Sequence, residues 1–360
     1  MTETVILAGG GTGGHVFPLL AVAHALVKLR PQLEPVFVGT ARGMEARLVP
    51  AQGFRLELLD VLPIRGGGWR GAAQGALRAA KLLPESRALL RRLGPRGVFS
   101  IGGYAAGPVS LAAKTLGLPL ALMEPNSVIG LANWLLAPLV DRAYTAFEVT
   151  DQKFSPAVVR RLGVPLRPGF TPTHWAATRG PLKILVLGGS QGARALNENV
   201  PHALAGVSAP LDVVHQCGPT HLEEVQRRYS ETTLSGARVV SFIDDMPRAL
   251  AQADLVISRS GASAVSEIAA VGRASLLIPY PYASGDHQTI NARTLETLGA
   301  ARTIANAEAS TERLRSEVEL LASDPSRIAL MAAAALAWGR PEAAGEVAAD
   351  FLDCLNRENP

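Results

Sequence analysis

Short runs of apolar and β-branched residues alternate along the chain with longer segments whose apolar positions recur at helical spacing. The series opens with VILA at 5–8, VFPLLAVAHALVKLR at 16–30, PVFVG at 35–39, FRLELLDV at 54–61 and a long Arg/Leu/Ala segment at 70–93. It continues through VFSIGG at 98–103, the helix-like VSLAAKTLG at 109–117, LPLALME at 118–124 and RAYTAF at 142–147. Continuously apolar strands separated by helices are the pattern of a parallel sheet buried on both faces, so the rhythm predicts βαβ units.

The rhythm fades in a Pro- and Gly-rich stretch at 163–180, which is the expected linker between two lobes. It restarts with KILVLGGSQGARALN at 183–197, an echo of the opening VILAGGGTGGHVFPLL at 5–20: a buried strand, a glycine turn, then a helix. Strands LDVVHQ, ARVVSF, DLVIS and ASLLIPY follow, and the Ala-rich stretch at 328–355 reads as helices only. The expected organisation is an N-terminal Rossmann-like lobe at 1–165, a second at 166–338, and a terminal helix at 339–360 packing back on the first. A chain of 360 residues suits two such cores.

Composition narrows the class. With 48% apolar and 18% charged residues the chain is globular, and its two cysteines, Cys217 and Cys354, support neither a disulfide framework nor a zinc site. A reducing cytoplasm fits. No run approaches the ~20 apolar residues of a spanning helix, and the start lacks the basic and apolar regions of a secretory leader. The net charge of +4 is uneven: Arg65 to Arg96 holds eight basic residues and one acid, Glu85, for a local +7 that leaves −3 elsewhere.

The glycine turns are the first candidates for chemistry. Gly9, Gly11 and Gly14 give a G-x-G-x-x-G spacing between strand and helix, where backbone N–H groups and the helix dipole can face an anion. A dinucleotide site would place an acid at the end of the second strand to hold a ribose, yet that strand ends in Gly39, Thr40 and Ala41. The missing acid counts against an NAD-dependent oxidoreductase. His15 follows the loop directly, where the positive helix end favours a neutral ring that can accept a proton.

In the second half, Gly188, Gly189, Ser190, Gln191 and Gly192 repeat the anion-loop logic. The densest signal is SRSGASAVSEIAAVGRASLLIPYPYASGDHQTINA at 258–292. Small residues from Gly261 to Ala264 let a ligand approach a helix start, Glu267 can accept two hydrogen bonds from a ribose diol, and His287 with Gln288 can grip sugar hydroxyls.

These segments, with SIGGYAAGP at 100–108 and FIDDM at 242–246, closely resemble the MurG family of bacterial transferases, over nearly the whole length. That family adds N-acetylglucosamine to undecaprenyl-pyrophosphoryl muramyl-pentapeptide (lipid I) to give lipid II. The resemblance implies a GT-B fold, with two Rossmann-like lobes whose parallel sheets face across a cleft. By the same resemblance the donor site comprises Thr12, Gly13, Gly14, Asn126, Arg167, Ser190, Ile243, Ala262, Ser263, Ala264, Val265, Ser266, Glu267 and Gln288, with Arg259 near the diphosphate. Glu267 would hold the ribose and Ile243 the uracil. One departure stands at Met123 to Asn126, where the family commonly shows His-Glu-Gln-Asn.

The implied reaction is an inverting transfer from UDP-N-acetylglucosamine to the muramyl 4-hydroxyl, which requires a base. His15 is the first candidate and Glu124 the rival, since a carboxylate in a partly dry cleft can have its pKa raised. Loop amides, the helix start near Gly261 and Arg167 can hold the departing charge, so no metal or other cofactor is implied, and no Asp-x-Asp motif is present. Gly11, Gly102, Gly103 and Tyr104 are expected at the acceptor diphosphate.

The basic stretch, with Leu62, Ile64, Trp69, Leu77, Leu82 and Leu83 among its arginines, suggests an amphipathic surface drawn to anionic lipid. With the resemblance, it implies a peripheral position on the cytoplasmic face of the bacterial membrane. Nucleic acid is not expected as a partner, since no aromatic stacking platform accompanies the charge. A nucleotide-sugar-binding protein without catalysis remains an alternative, motivated by Met123 and Pro125.

Overall fold

The computed structural model describes residues 3–61, 68–103, 105–177, 180–189, 191–234 and 236–357, with side chains described for all of these except 68–80 and 357. The chain divides into two compact units, one of residues 1–168 with 342–360 and one of residues 169–341.

The first unit carries a parallel sheet of β1 (Glu3–Gly9), β2 (Leu33–Gly39), β3 (Arg55–Leu58), β4 (Val98–Gly102), β5 (Leu120–Glu124), β6 (Arg142–Thr145) and β7 (Val159–Arg161), in the order β3-β2-β1-β4-β5-β6-β7. Its helices are α1 (Gly13–Leu29), α2 (Glu45–Ala51), α3 (Gly68–Leu93), α4 (Ala106–Thr115), α5 (Leu131–Leu136) and α6 (Glu148–Asp151). The central strands are buried on both faces: Val5, Ile6, Leu7 and Ala8 of β1 and Leu120, Ala121, Leu122 and Met123 of β5 are all 0% exposed. Removing such side chains from water supplies about 1.5–3 kcal/mol for each large one.

The second unit carries β8 (Leu182–Leu187), β9 (Leu211–Gln216), β10 (Arg238–Val240), β11 (Leu255–Ser258), β12 (Ala274–Leu277) and β13 (Ala301–Thr303), again parallel, in the order β10-β9-β8-β11-β12-β13. Its helices are α7 (Arg194–Ala205), α8 (Leu222–Ser230), α9 (Met246–Gln252), α10 (Ala262–Val271), α11 (His287–Thr297), α12 (Thr311–Ala322) and α13 (Pro325–Trp338).

The last helix, α14 (Ala343–Arg357), belongs to the first unit. Phe351 meets Phe99 of β4 edge-on with ring centroids 5.5 Å apart, and Asp350 accepts hydrogen bonds from Tyr144 Oη at 2.8 Å and Arg142 Nε at 3.0 Å. Burial and the adjacent Asp350 charge push the Tyr144 phenol well above its usual range, so it stays a neutral donor to that carboxylate.

Both sheets reverse their winding at one place, between β1 and β4 in the first unit and between β8 and β11 in the second. In open α/β sheets the crevice outside the carboxyl ends of the strands at such a reversal is where ligands bind. Each glycine turn found in the sequence follows the central strand at one of these reversals.

Candidate active site

In the first unit, β1 and β4 end together: Gly9 pairs with Gly102 across a register shift after Ala8. Gly102 and Gly103 both have φ near +91°, a conformation that glycine tolerates and a side chain strains. A Cβ at Gly103 would sit 3.1 Å from Gly10 O and 3.7 Å from His15 Nδ1. The fold thus brings Gly9 to Gly14, His15, Gly102 and Gly103 to one place; Tyr104 lies outside the described residues.

α1 begins after Thr12, whose extended backbone (φ −118°, ψ 161°) ends the loop, and the carbonyl of Thr12 accepts from the N–H of His15 at 3.1 Å. The His15 ring turns back on the loop, with Nδ1 3.1 Å from Gly10 O. A carbonyl can only accept, so in the neutral ring Nδ1 carries the proton and Nε2 carries the basic lone pair. Phe17, two residues on, lies under the Arg167 guanidinium at 4.9 Å, which sets that cation beside the loop.

The loop also holds a residue that the sequence reading missed. Glu45, at the start of α2, is 1% exposed and accepts from the N–H of Gly11 at 2.7 Å and from the N–H and hydroxyl of Thr40 at 2.9 and 3.0 Å. The Gly11 amide, expected at the acceptor diphosphate, is therefore committed to an internal carboxylate. The acid sought at the end of β2 is absent there, but six residues after Gly39 the chain returns one to the loop from the side. The sequence signal was an acid among glycines, GTARGME, and only the folded chain shows what it meets.

Glu124, at the end of β5, is 3% exposed. Its Oε1 accepts from the N–H of Asn126 at 3.0 Å and that residue's side chain at 3.4 Å; its Oε2 accepts from the N–H of Gly130 and from Asn133 Nδ2, both at 2.9 Å. Burial pushes its pKa up while these donors pull it down, and the net direction is up. The carboxylate ties the 124–133 turn together and fixes Asn126.

In the second unit, the turn after β8 is laced to its neighbour: Gly188 N–H donates to Gln216 O at 3.0 Å, and Gln216 Nε2 donates to Gly189 O at 3.0 Å. Ser190 lies outside the described residues. Beneath the turn runs a buried polar chain. Asn197 Nδ2 donates to Cys217 O at 2.9 Å, its Oδ1 is 3.2 Å from His215 Nε2, and His215 Nδ1 is 3.1 Å from Tyr229 Oη. Desolvation lowers the His215 pKa to about 3.

After β11, α10 starts at Ala262 behind Gly261. The hydroxyls of Ser263 and Ser266, in the first turns of the helix, are buried and have no partner among the described residues. Ala264, Val265 and Glu267 continue the same helix. Gln288, in the first turn of α11, accepts with its Oε1 from the N–H of Tyr280 at 3.0 Å and of Ser260 at 3.3 Å. With its oxygen so engaged, its Nε2 lies 3.9 Å from where a Cβ would stand at Gly261.

Arg259, expected near the diphosphate, is anchored within the second unit through one nitrogen. Its Nη1 is spent on Ile278 O, Pro279 O and Asn306 Oδ1 at 3.0, 3.0 and 2.8 Å, so it braces the chain around Pro279. Ile243 lines a cavity of about 650 Å³ with Phe242, Val214, Leu185, Arg238 and Arg248. The expected donor set is divided between the units: Thr12, Gly13, Gly14, Asn126 and Arg167 belong to the first and the others to the second.

A glycine turn at the winding reversal of each of two Rossmann-like units, with a histidine behind one and a Ser/Gly helix start and anchored glutamine behind the other, defines a glycosyltransferase of the GT-B class. Residues 5–145 match the glycosyltransferase family 28 N-terminal domain and residues 183–347 the family 28 C-terminal domain. The chain belongs to glycosyltransferase family 28. It is 53% identical, over 97% of its length and 88% of the relative, to the UDP-N-acetylglucosamine--N-acetylmuramyl-(pentapeptide) pyrophosphoryl-undecaprenol N-acetylglucosamine transferase of Sorangium cellulosum. It is 40% identical to the transferase of the same name in Myxococcus xanthus, over 98% of this chain and 93% of that one. The crystal structure of MurG from Acinetobacter baumannii superimposes with a TM-score of 0.83 at 32% identity, covering 98% of this chain and 99% of that one.

Proposed function

We propose that this protein transfers N-acetylglucosamine from UDP-N-acetylglucosamine to the muramyl 4-hydroxyl of lipid I, with inversion, to form lipid II. The observation that carries the mechanism is the His15 Nδ1 to Gly10 carbonyl contact, which leaves Nε2 as the basic nitrogen beside the first loop. The acceptor oxygen attacks the anomeric carbon, its proton passes to His15 Nε2, and the bond from that carbon to the diphosphate breaks with its electron pair leaving on UDP. Glu124, with both oxygens engaged by the 124–133 turn, acts as scaffold for Asn126.

The remaining roles rest on the family resemblance together with the local geometry of each unit. The first-turn amides of α1 and the Arg167 cation receive phosphate oxygens. Ser263, Ser266 and the Gln288 amide receive donor hydroxyls, Glu267 the ribose, and Ile243 the base. Each charge-bearing donor is fixed before the reaction, the condition under which dipoles stabilise developing charge well.

A peripheral place on an anionic membrane is supported by two surfaces of the first unit. In the described part of the basic stretch, Lys81, Arg91 and Arg92 are exposed while Leu89 and Leu90 face the core. Leu62, Ile64, Trp69 and Leu77 lie outside the described residues or side chains. α5 presents Leu131, Trp134 and Leu135 to solvent, 42%, 55% and 45% exposed, at the i, i+3, i+4 spacing of one helix face. Among the described residues no single helix is long and apolar enough to cross a membrane.

Purified protein given UDP-N-acetylglucosamine and a lipid I analogue should release UDP and form the disaccharide. Absence of product with a sound acceptor sinks the proposal, and His15→Ala turning over like wild type removes His15 as base.

A further inference from the structure

Gly10 and Gly11 share one peptide group, and both of its polar atoms are engaged. Its N–H donates to Glu45 Oε2 at 2.7 Å, and its carbonyl oxygen lies 3.1 Å from His15 Nδ1. Every hydrogen bond shown to the Glu45 carboxylate comes from a donor, the arrangement that suits the ionised form. Space for it is cleared at three glycines of two segments: a Cβ at Gly10, Gly39 or Gly43 would collide with that side chain.

We infer that Glu45 is a positioning residue for the base, fixing the His15 tautomer and raising the basicity of its ring through the intervening peptide group. This rests on the reading of His15 as base. An amide that donates to an anion shifts electron density onto its own carbonyl oxygen, and coupled hydrogen bonds strengthen one another. A more negative Gly10 oxygen holds Nδ1–H more firmly and stabilises the imidazolium formed once Nε2 has taken the acceptor's proton. The arrangement does the work of a carboxylate that orients a catalytic imidazole, with one peptide group inserted between them.

The other charges around the ring act differently. Arg167, stacked on Phe17, opposes an imidazolium. Glu124 reaches the loop only from behind Gly102, through Asn133, whose Oδ1 would lie 2.9 Å from a Cβ at Gly102. Glu45 is joined to the ring by an unbroken hydrogen-bonded path.

Histidine-selective 15N NMR on the whole chain reads the ring directly, with His15 assigned by the loss of its signal in His15→Gln. The expected wild-type ring is protonated on Nδ1 when neutral. In Glu45→Gln its titration midpoint falls by about half a unit, roughly threefold in proton affinity, and the acidic limb of kcat/KM moves to lower pH by the same amount. Thr40→Ala, which removes a donor to the carboxylate but leaves its contact with Gly11, keeps the wild-type midpoint.

A folded Glu45→Gln with unmoved midpoint and limb overturns the inference, because a merely structural role would lower only the amount of active protein. Should that variant not fold, Glu45→Asp, whose shorter arm lengthens the contact with Gly11, takes its place with the same expected direction. A wild-type ring protonated on Nε2 overturns the inference by itself. The NMR midpoint does not depend on turnover, so its movement upholds the coupling even where full activity of His15→Ala defeats the reading of His15 as base.

Discussion

Asn133 donates to Glu124 Oε2 at 2.9 Å, and both residues are buried, at 2% and 3% exposure. That bond links α5 to the end of β5. With the three bonds from Asn126 and Gly130 it makes the carboxylate the hub of the turn on which Asn126 sits.

Glu124→Gln puts an NH2 group where some of these donors already point, and one buried donor is left without an acceptor. The expected cost is about 1–3 kcal/mol of unfolding free energy, measured by denaturant titration, with turnover reduced about tenfold as Asn126 loses its place. The acidic limb of kcat/KM should persist in the variant. Its disappearance would return the role of base to Glu124.

Gln288 can be divided into its two functions. Gln288→Glu keeps an oxygen for Ser260 and Tyr280 and removes the amide protons near Gly261. Gln288→Ala removes both functions. Loss of a ligand hydrogen bond costs about 1 kcal/mol or more, so Gln288→Glu is expected to raise KM for the donor about tenfold at unchanged Tm, while Gln288→Ala raises it and lowers Tm as well. Equal donor KM for wild type and Gln288→Glu would show that the side chain only braces the turn.

Much of this was legible in the chain because it is local. Strand, glycine turn and helix at 5–20 and again at 183–197 are contiguous, and β1 with α1 and β8 with α7 fall there. Short edge strands escaped: β7 is VRR and β13 is ART, three residues each with little apolar content, and their neighbours in the sheet hold them extended. Glu45 escaped because its meaning depends on Gly10, Gly39 and Gly43 together. The Asn197–His215–Tyr229 chain escaped for the same reason. That Arg259 Nη1 is held by Ile278 O, Pro279 O and Asn306 Oδ1 was likewise beyond the reach of sequence, because those partners come from distant segments.

The buried His215 predicts an acid sensitivity of the second unit. Burial lowers its pKa to about 3 from 6.5, so below 6.5 the unfolded chain binds a proton that the folded chain refuses. Its contribution to stability is complete above pH 6.5 and is lost as pH falls toward 3, at about 1.4 kcal/mol per pH unit. His215→Gln, which can still bond Asn197 and Tyr229, is expected to be less stable than wild type at pH 7.5 and to lose less stability between pH 6.5 and 4.5. Parallel pH profiles of unfolding free energy for the two proteins would remove His215 as the cause.

Membrane contact can be separated into charge and apolar parts. Arg92 already pairs with Glu57 at 2.8 Å and Arg96 with Glu3 at 2.9 Å, so Arg87 and Arg91 are the better probes of the basic stretch. Reversal of both charges should weaken binding to vesicles containing anionic lipid by well over tenfold at low salt, at about 1 kcal/mol per basic residue, and the deficit should shrink as salt screens the attraction. Trp134→Ser with Leu135→Ser should weaken binding to a degree that salt does not alter, because the lost term is apolar burial. Both variants should turn over a soluble acceptor at the wild-type rate, since neither residue pair touches the loops at the winding reversals. Vesicle binding unchanged by the arginine pair eliminates the basic stretch as a contact, and binding unchanged by the α5 pair eliminates that helix face.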